Sequence, residues 1–307
     1  GDSMMFGIGA GEAYVSGSDE VLDISGWTTP DTLEYLTGIK VYNLGVSGET
    51  SNEIALRQGG IKMYVDNTFE VGYDDSVEVS IVDEYGNPVY MADFSAYGYV
   101  EPHEPDVVYI NDDMFKITGT EETGLYICRY SETEVGGDAF TTVYEGTQVT
   151  TKASYERKGD ILILEIGSNG GWDNYRQLIS QYDAMIQNAG CDYYIIVGDT
   201  DDPGTSIADT SQGFCNEDGT YIGVGDTAWE ATLSEAYGEH FINMRTYLIE
   251  NGLKDAGLRA TNADYRGFRR GRISKQLRSD WTHFNSYGYY AKGLAIYEKG
   301  VELGYWK

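Results

Sequence analysis

Basic residues are scarce in this chain: 21 Lys and Arg stand against 50 Asp and Glu in 307 residues, a formal net charge of −29. A surface that negative repels phosphate backbones over the whole electrostatic range, so nucleic acid is excluded as an expected partner. Cysteine is nearly absent as well. Cys128, Cys191 and Cys215 are an odd number without paired short spacing, from which neither a disulfide framework nor a zinc knuckle can be read, and the redox compartment stays open. No apolar run approaches the ~18 residues of a spanning helix, so no membrane span is expected, and no charged-then-apolar leader is read before the first turn. What is present is ordinary for a folded, soluble protein: 41% hydrophobic and 23% charged residues, neither a disordered nor a membrane-embedded composition. The 27 tyrosines and 39 glycines lean towards extracellular carbohydrate-active proteins, and the expected location is extracellular or in the cell envelope, with the cytoplasm left open.

Two rhythms divide the chain. From Gly159 onward apolar runs alternate with helical periodicity, the pattern of strands joined by crossover helices in a parallel sheet. The spacing predicts strands over Asp160–Ile166, Tyr193–Val197 and Phe241–Met244, and helices over Asn174–Asn188, Ala228–Tyr237 and Ser286–Leu303, with Gly190 as a stop. The early chain predicts a helix with Pro30 at its first position and Gly38 at its end, a strand over Ile39–Leu44, and a short helix capped by Ser51 that ends at Gly59 and Gly60. Between Ile61 and Tyr155 the period shortens. Ser76–Val82, Met114–Thr118, Leu125–Tyr130 and Phe140–Tyr144 alternate as strands, with turns at Tyr85–Pro88 and Val135–Asp138, which predicts an all-β insertion closed as a barrel or sandwich.

Three polar stretches are not explained by apolar periodicity. Gly1-Asp2-Ser3 sets a serine among tight-turn residues, Gly167-Ser168-Asn169-Gly170-Gly171 directly follows a strand, and Asp280-Trp281-Thr282-His283 leads into Asn285 and the closing helix. A serine, a histidine and a carboxylate suffice for acyl transfer, because the imidazole takes the serine proton and the carboxylate fixes its tautomer and balances its charge. Asp280 and His283 are three apart, so both can face one nucleophile from a tight loop. Of the other histidines, His103 and His240 have no motif around them and read as structural. The acidic run Asp199–Asp202 reads as a solvated loop after a strand in preference to a calcium site.

These stretches together resemble the SGNH or GDSL hydrolase superfamily. Gly1-Asp2-Ser3 matches its nucleophile motif, Asn43–Gly48 its glycine motif, Gly167–Gly170 its asparagine motif with Gly170 where the family has Asp, and Asp280–His283 its acid and base motif. The resemblance implies Ser3 as nucleophile, His283 as base and Asp280 as its orienting acid. It implies an oxyanion hole from the Ser3 and Gly45 amides and the Asn169 side chain, no metal or other cofactor, and a flavodoxin-like three-layer parallel sheet. Residues 1–60 and 156–307 would then be a discontinuous catalytic domain, with 61–155 inserted in it. The expected activity is a serine esterase working through a covalent acyl-enzyme, on a small-molecule or carbohydrate ester, since tyrosine-rich β-surfaces suit sugars. The competing expectation is a glycan-binding or scaffolding protein with a relic hydrolase core. Finally, Arg266, Arg269, Arg270, Arg272, Lys275 and Arg278 precede Asp280; Arg269, Arg270 and Arg272 are candidates for orienting an anionic substrate, against the alternative that they pair with the acidic surface.

Overall fold

The computed structural model describes residues 1–16, 21–72, 75–90, 106–130, 140–201, 215–216 and 220–307. His103, Asp202 and the expected turn Val135–Asp138 lie outside them. Asp2 opens the chain by capping one helical turn, Ser3–Phe6 (α1), its Oδ1 accepting from the Met4 amide at 3.0 Å. An antiparallel pair follows, Tyr14–Ser16 (β1) with Val21–Asp23 (β2). Helix Thr29–Thr37 (α2) carries Pro30 in its first turn, has the Asp31 carboxylate accepting from the Thr28 amide at 2.9 Å, and ends at Gly38. Helix Ser51–Gln58 (α3) comes next.

From there the chain is short strands: Met63–Val65 (β3), Phe69–Val71 (β4), Val77–Val79 (β5), Ile81–Asp83 (β6), Val107–Ile110 (β7), Asp113–Thr120 (β8), Gly124–Arg129 (β9), Thr141–Val143 (β10) and Gln148–Thr151 (β11), then a helical turn Lys152–Glu156 (α4). Seven of them make one sheet in the order β5-β9-β8-β7-β11-β3-β6, antiparallel at every pairing, while β4 pairs with β10 apart. Alternate residues, among them Val65, Ile81, Val107, Phe115, Ile117 and Ile127, are buried. The β7–β8 hairpin turns on Asn111 and Asp112 with φ of 52° and 66°, the left-handed pair a two-residue loop requires.

The remainder alternates Leu162–Leu164 (β12), Tyr175–Ala189 (α5), Tyr194–Val197 (β13), Ala228–Tyr237 (α6) and Phe241–Ile242 (β14). It closes with Met244–Tyr247 (α7), a π-helical turn Leu248–Gly252, Leu253–Asp255 (α8), Asn262–Phe268 (α9) and Ser286–Glu302 (α10). Strands β12, β13 and β14 pair in parallel, in that order. Met4, Leu33, Ile195, Met244, Leu277 and Ile296 share a core around them. Helix α10 lies so close on α2 that a Cβ at Gly293 would stand 2.5 Å from Thr32 Cβ, a contact only glycine permits. Contacts divide the chain into two compact units, residues 1–51, 162–179 and 193–307 in one, 52–161 and 180–192 in the other.

The expected flavodoxin-like parallel sheet is therefore wrong. The largest sheet is the antiparallel one, and only three strands run parallel among the described residues. The expected Ile39–Leu44 strand does not form either, because its amides turn to side chains: Ile39 N–H donates to Thr37 Oγ1 at 3.1 Å and Val41 N–H to Glu34 Oε2 at 2.8 Å. Ser51 is also not the cap expected of it. It is the first residue of α3, its amide bonds the Gly170 carbonyl at 2.9 Å, and its buried hydroxyl has no partner among the described residues. Phe241–Met244 yields only the two-residue β14 before α7 begins, since Asn243 caps that helix through the Thr246 amide at 3.2 Å.

Candidate active site

Ser3 stands in the first turn of α1 and is 7% exposed. Its Oγ lies 3.0 Å from His283 Nε2, and His283 Nδ1 lies 2.8 Å from Asp280 Oδ2. The carboxylate accepts a hydrogen bond from Nδ1–H, which leaves Nε2 as acceptor for the Ser3 hydroxyl. The structure thus joins residues 280 positions apart into one chain of hydrogen bonds. The Asp280 loop is wound on its own carboxylate, whose Oδ1 accepts the Thr282 and His283 amides at 2.7 Å each. Burial alone would raise the Asp280 carboxyl, but the His283 amide, the His283 ring and the Thr282 amide hold it below its ordinary value. Asn285 closes the loop: Oδ1 caps α10 through the Gly288 amide, and Nδ2 donates to the Gln276 and Arg278 carbonyls at 2.9 and 3.3 Å.

The other two motifs meet the nucleophile turn. Gly45 packs against α1 so tightly that a Cβ there would stand 2.3 Å from Phe6 N, so the position excludes every side chain. Asn43 donates to the Phe6 carbonyl at 3.0 Å and accepts from the Gly45 amide at 3.1 Å. Asp2 Oδ2 accepts from Ser168 Oγ at 2.5 Å and from Asn169 Nδ2 at 3.3 Å, and the same Nδ2 donates to the Glu49 carbonyl at 3.1 Å. The Gly45 amide and Asn169 Nδ2 thus lie against the nucleophile turn, but both hold protein acceptors. The Ser3 amide alone has none among the described residues.

The arginines separate by burial. Arg269 and Arg270 are exposed, with the Arg270 guanidinium 5.8 Å from the Tyr221 ring centre, and Arg272 is half-buried. Arg278 is buried and belongs to the His283 loop. Beyond Asn169, Trp172 donates its Nε1–H to the Gly167 carbonyl at 2.9 Å and stacks on Tyr175, ring centres 5.4 Å apart, with both rings half-exposed. His240 is held by the Tyr194 carbonyl at 3.1 Å and the Tyr305 hydroxyl at 2.9 Å, stacked on Tyr194.

Two buried features escaped the sequence reading. Lys292 of α10, wholly buried, pairs with Glu165 directly after β12, and burial pushes the Glu165 carboxyl up against the pull of Lys292. The only trace in sequence is a glutamate within the apolar run Ile161–Ile166. Asp199, half-buried, and Asp201, 2% exposed, follow β13; burial first, then neighbouring carboxylates, push them up to about 7 and about 9. Among the described residues no group of three or more His, Cys, Asp or Glu side chains is arranged to hold a metal, and the three cysteines are free thiols. No described helix is long and apolar enough to cross a membrane. No family model, curated protein or solved structure matches the chain.

Proposed function

We propose that the chain is a serine ester hydrolase that works through an acyl-enzyme, with machinery of the SGNH type. The observation that carries this reading is the hydrogen-bonded series Ser3–His283–Asp280 at 3.0 and 2.8 Å. His283 Nε2 removes the Ser3 proton as Oγ attacks the ester carbonyl, and Asp280 balances the imidazolium that forms. The Ser3 amide donates to the developing oxyanion. The Gly45 amide and Asn169 Nδ2 join it by exchanging Asn43 and Glu49 for the substrate oxygen. His283 then returns its proton to the leaving alcohol, and water repeats the sequence to free the acid.

The substrate class we propose is an acylated carbohydrate. Trp172 and Tyr175 support it, since half-exposed stacked rings directly after the Asn169 loop suit the face of a sugar. Exposed Arg269 and Arg270, with Arg272, supply the charge that an acidic group on such a sugar would meet. The test is hydrolysis of an aryl acetate by the wild type and by Ser3→Ala. The expected outcome is turnover that falls at least ~10³-fold in the variant. Turnover unchanged by Ser3→Ala contradicts the reading, and no turnover alongside glycan binding would favour a binding protein.

A further inference from the structure

We propose that Arg278 is a positioning residue for His283, a clamp that fixes the Asp280–His283 loop to the segment after β13; its effect on rate rests on the esterase reading above. The contacts within the loop set the angle of the imidazole to Asp280. They do not set where the loop as a whole stands. The loop closes on a bridge between Arg278 and Phe284 and on the Ser279 amide, which donates to the His283 carbonyl at 3.0 Å. All of these bonds would survive if the loop swung as a body away from Ser3.

The Arg278 side chain ties it down. Nη1 donates to the Thr282 carbonyl at 2.8 Å, one residue before His283, and Nη2 donates to the Thr200 carbonyl at 2.5 Å, 78 positions away in sequence. The guanidinium carbon lies 5.1 Å from the Phe284 ring centre, so the residue after His283 packs on the same group. Arg278 is 8% exposed and Thr200 1%, so the clamp works away from water, where a bond to a charged donor is strong. The chemistry demands arginine. A planar fork reaches two carbonyls on different segments at fixed angles, whereas a lysine ammonium supplies a point charge and holds neither direction. Burial also removes Arg278 from any solvent-facing lip of positive charge. In the histidine loop this basic residue is a brace.

A misplacement of about 1 Å can cost on the order of a hundredfold in rate. Arg278→Lys, checked for folding by thermal melting, should therefore lower kcat about 30- to 100-fold with KM within about twofold of wild type. Arg278→Ala should regain about tenfold in rate with millimolar ethylguanidinium, which refills the fork, and His283→Ala should not respond. Wild-type kcat in Arg278→Lys, or an Arg278→Ala that ethylguanidinium does not restore, overturns the proposal. Amide deuterium exchange over residues 279–285 separates this outcome from failure of the esterase reading. The clamp predicts slow exchange in the wild type and fast exchange in Arg278→Lys whether or not an ester is cleaved, and equal exchange in the two contradicts it.

Discussion

Ser3 enters as a candidate through the resemblance of its motif, and Asp280 and His283 also through a spacing of three that lets both face one nucleophile. Asp2 next to Ser3 is a helix cap, and Asp280 three residues before His283 is a carboxylate that can accept the His283 amide and bond its ring at once. The oxyanion donors were less legible. Gly45 enters only through the resemblance, and nothing in the sequence tells that Asn43 takes its amide, or that Glu49 lends a carbonyl to Asn169. Those bonds link the nucleophile cap to the residue after the glycine motif, and on the proposed reading Asn169 is also a donor that must re-pair as charge develops. Asn169→Ala should lower kcat by about 10²- to 10³-fold, as loss of one oxyanion donor does, and should lower the melting temperature as well, because the Glu49 carbonyl loses its donor. Steady-state kinetics beside thermal melts checks this. A variant changed only in KM would make Asn169 a substrate-binding residue.

Elements read from local signals arrived close to where they were expected. Ala228–Tyr237 runs between the predicted residues, with a capping box in which Thr227 and Glu230 bond reciprocally at 2.7 and 3.1 Å, and Ser286–Glu302 starts where Asn285 can cap it. Elements that depend on a distant partner did not. Ile39–Leu44 reads as a strand, yet Glu34 and Thr37 satisfy amides at its start and no strand forms there. The Glu165–Lys292 pair was hidden for the same reason: a charge inside an apolar run declares its partner only when β12 and α10 meet. Breaking such a pair leaves a buried charge without compensation, which typically costs about 3–5 kcal/mol. Lys292→Met should lose stability of that order in urea melts, and the double variant Glu165→Gln/Lys292→Met should lose clearly less than the sum of the two single changes. Additive losses would mean that the two side chains do not act as a pair.

The sequence carries a formal net charge of −29, and the fold still buries carboxyl side chains, Glu165 and Asp201 among them. Asp201 shows what that costs. Its carboxyl, pushed up to about 9 mainly by burial, holds its proton in the native state near neutral pH, where the unfolded chain has released it. Its native form is thus fully tolerated below the ordinary carboxylate range, and stability is lost progressively as pH rises from there through about 9. Asp199, pushed up to about 7, adds to the same trend at its lower end. Asp201→Asn keeps the neutral shape without the titration, so it should melt higher than wild type at about pH 8.5, by about 2–4 °C for each kcal/mol relieved, and no higher at about pH 4. Thermal melts across that range check the sign, and an equal gain at both ends would remove ionisation as the cause. The burial of Asp201 was not legible, because Asp199–Asp202 has the composition of a solvated loop and only packing after β13 takes Asp201 out of water.

The account turns on Ser3 being the atom that receives the acyl group. The most direct measurement is to trap the chain with a fluorophosphonate, which esterifies an activated serine, and to locate the adduct by peptide mass. The account predicts one adduct per chain, on Ser3, lost in Ser3→Ala and formed much more slowly in His283→Ala. An unlabelled chain, or an adduct on any other residue, would contradict it.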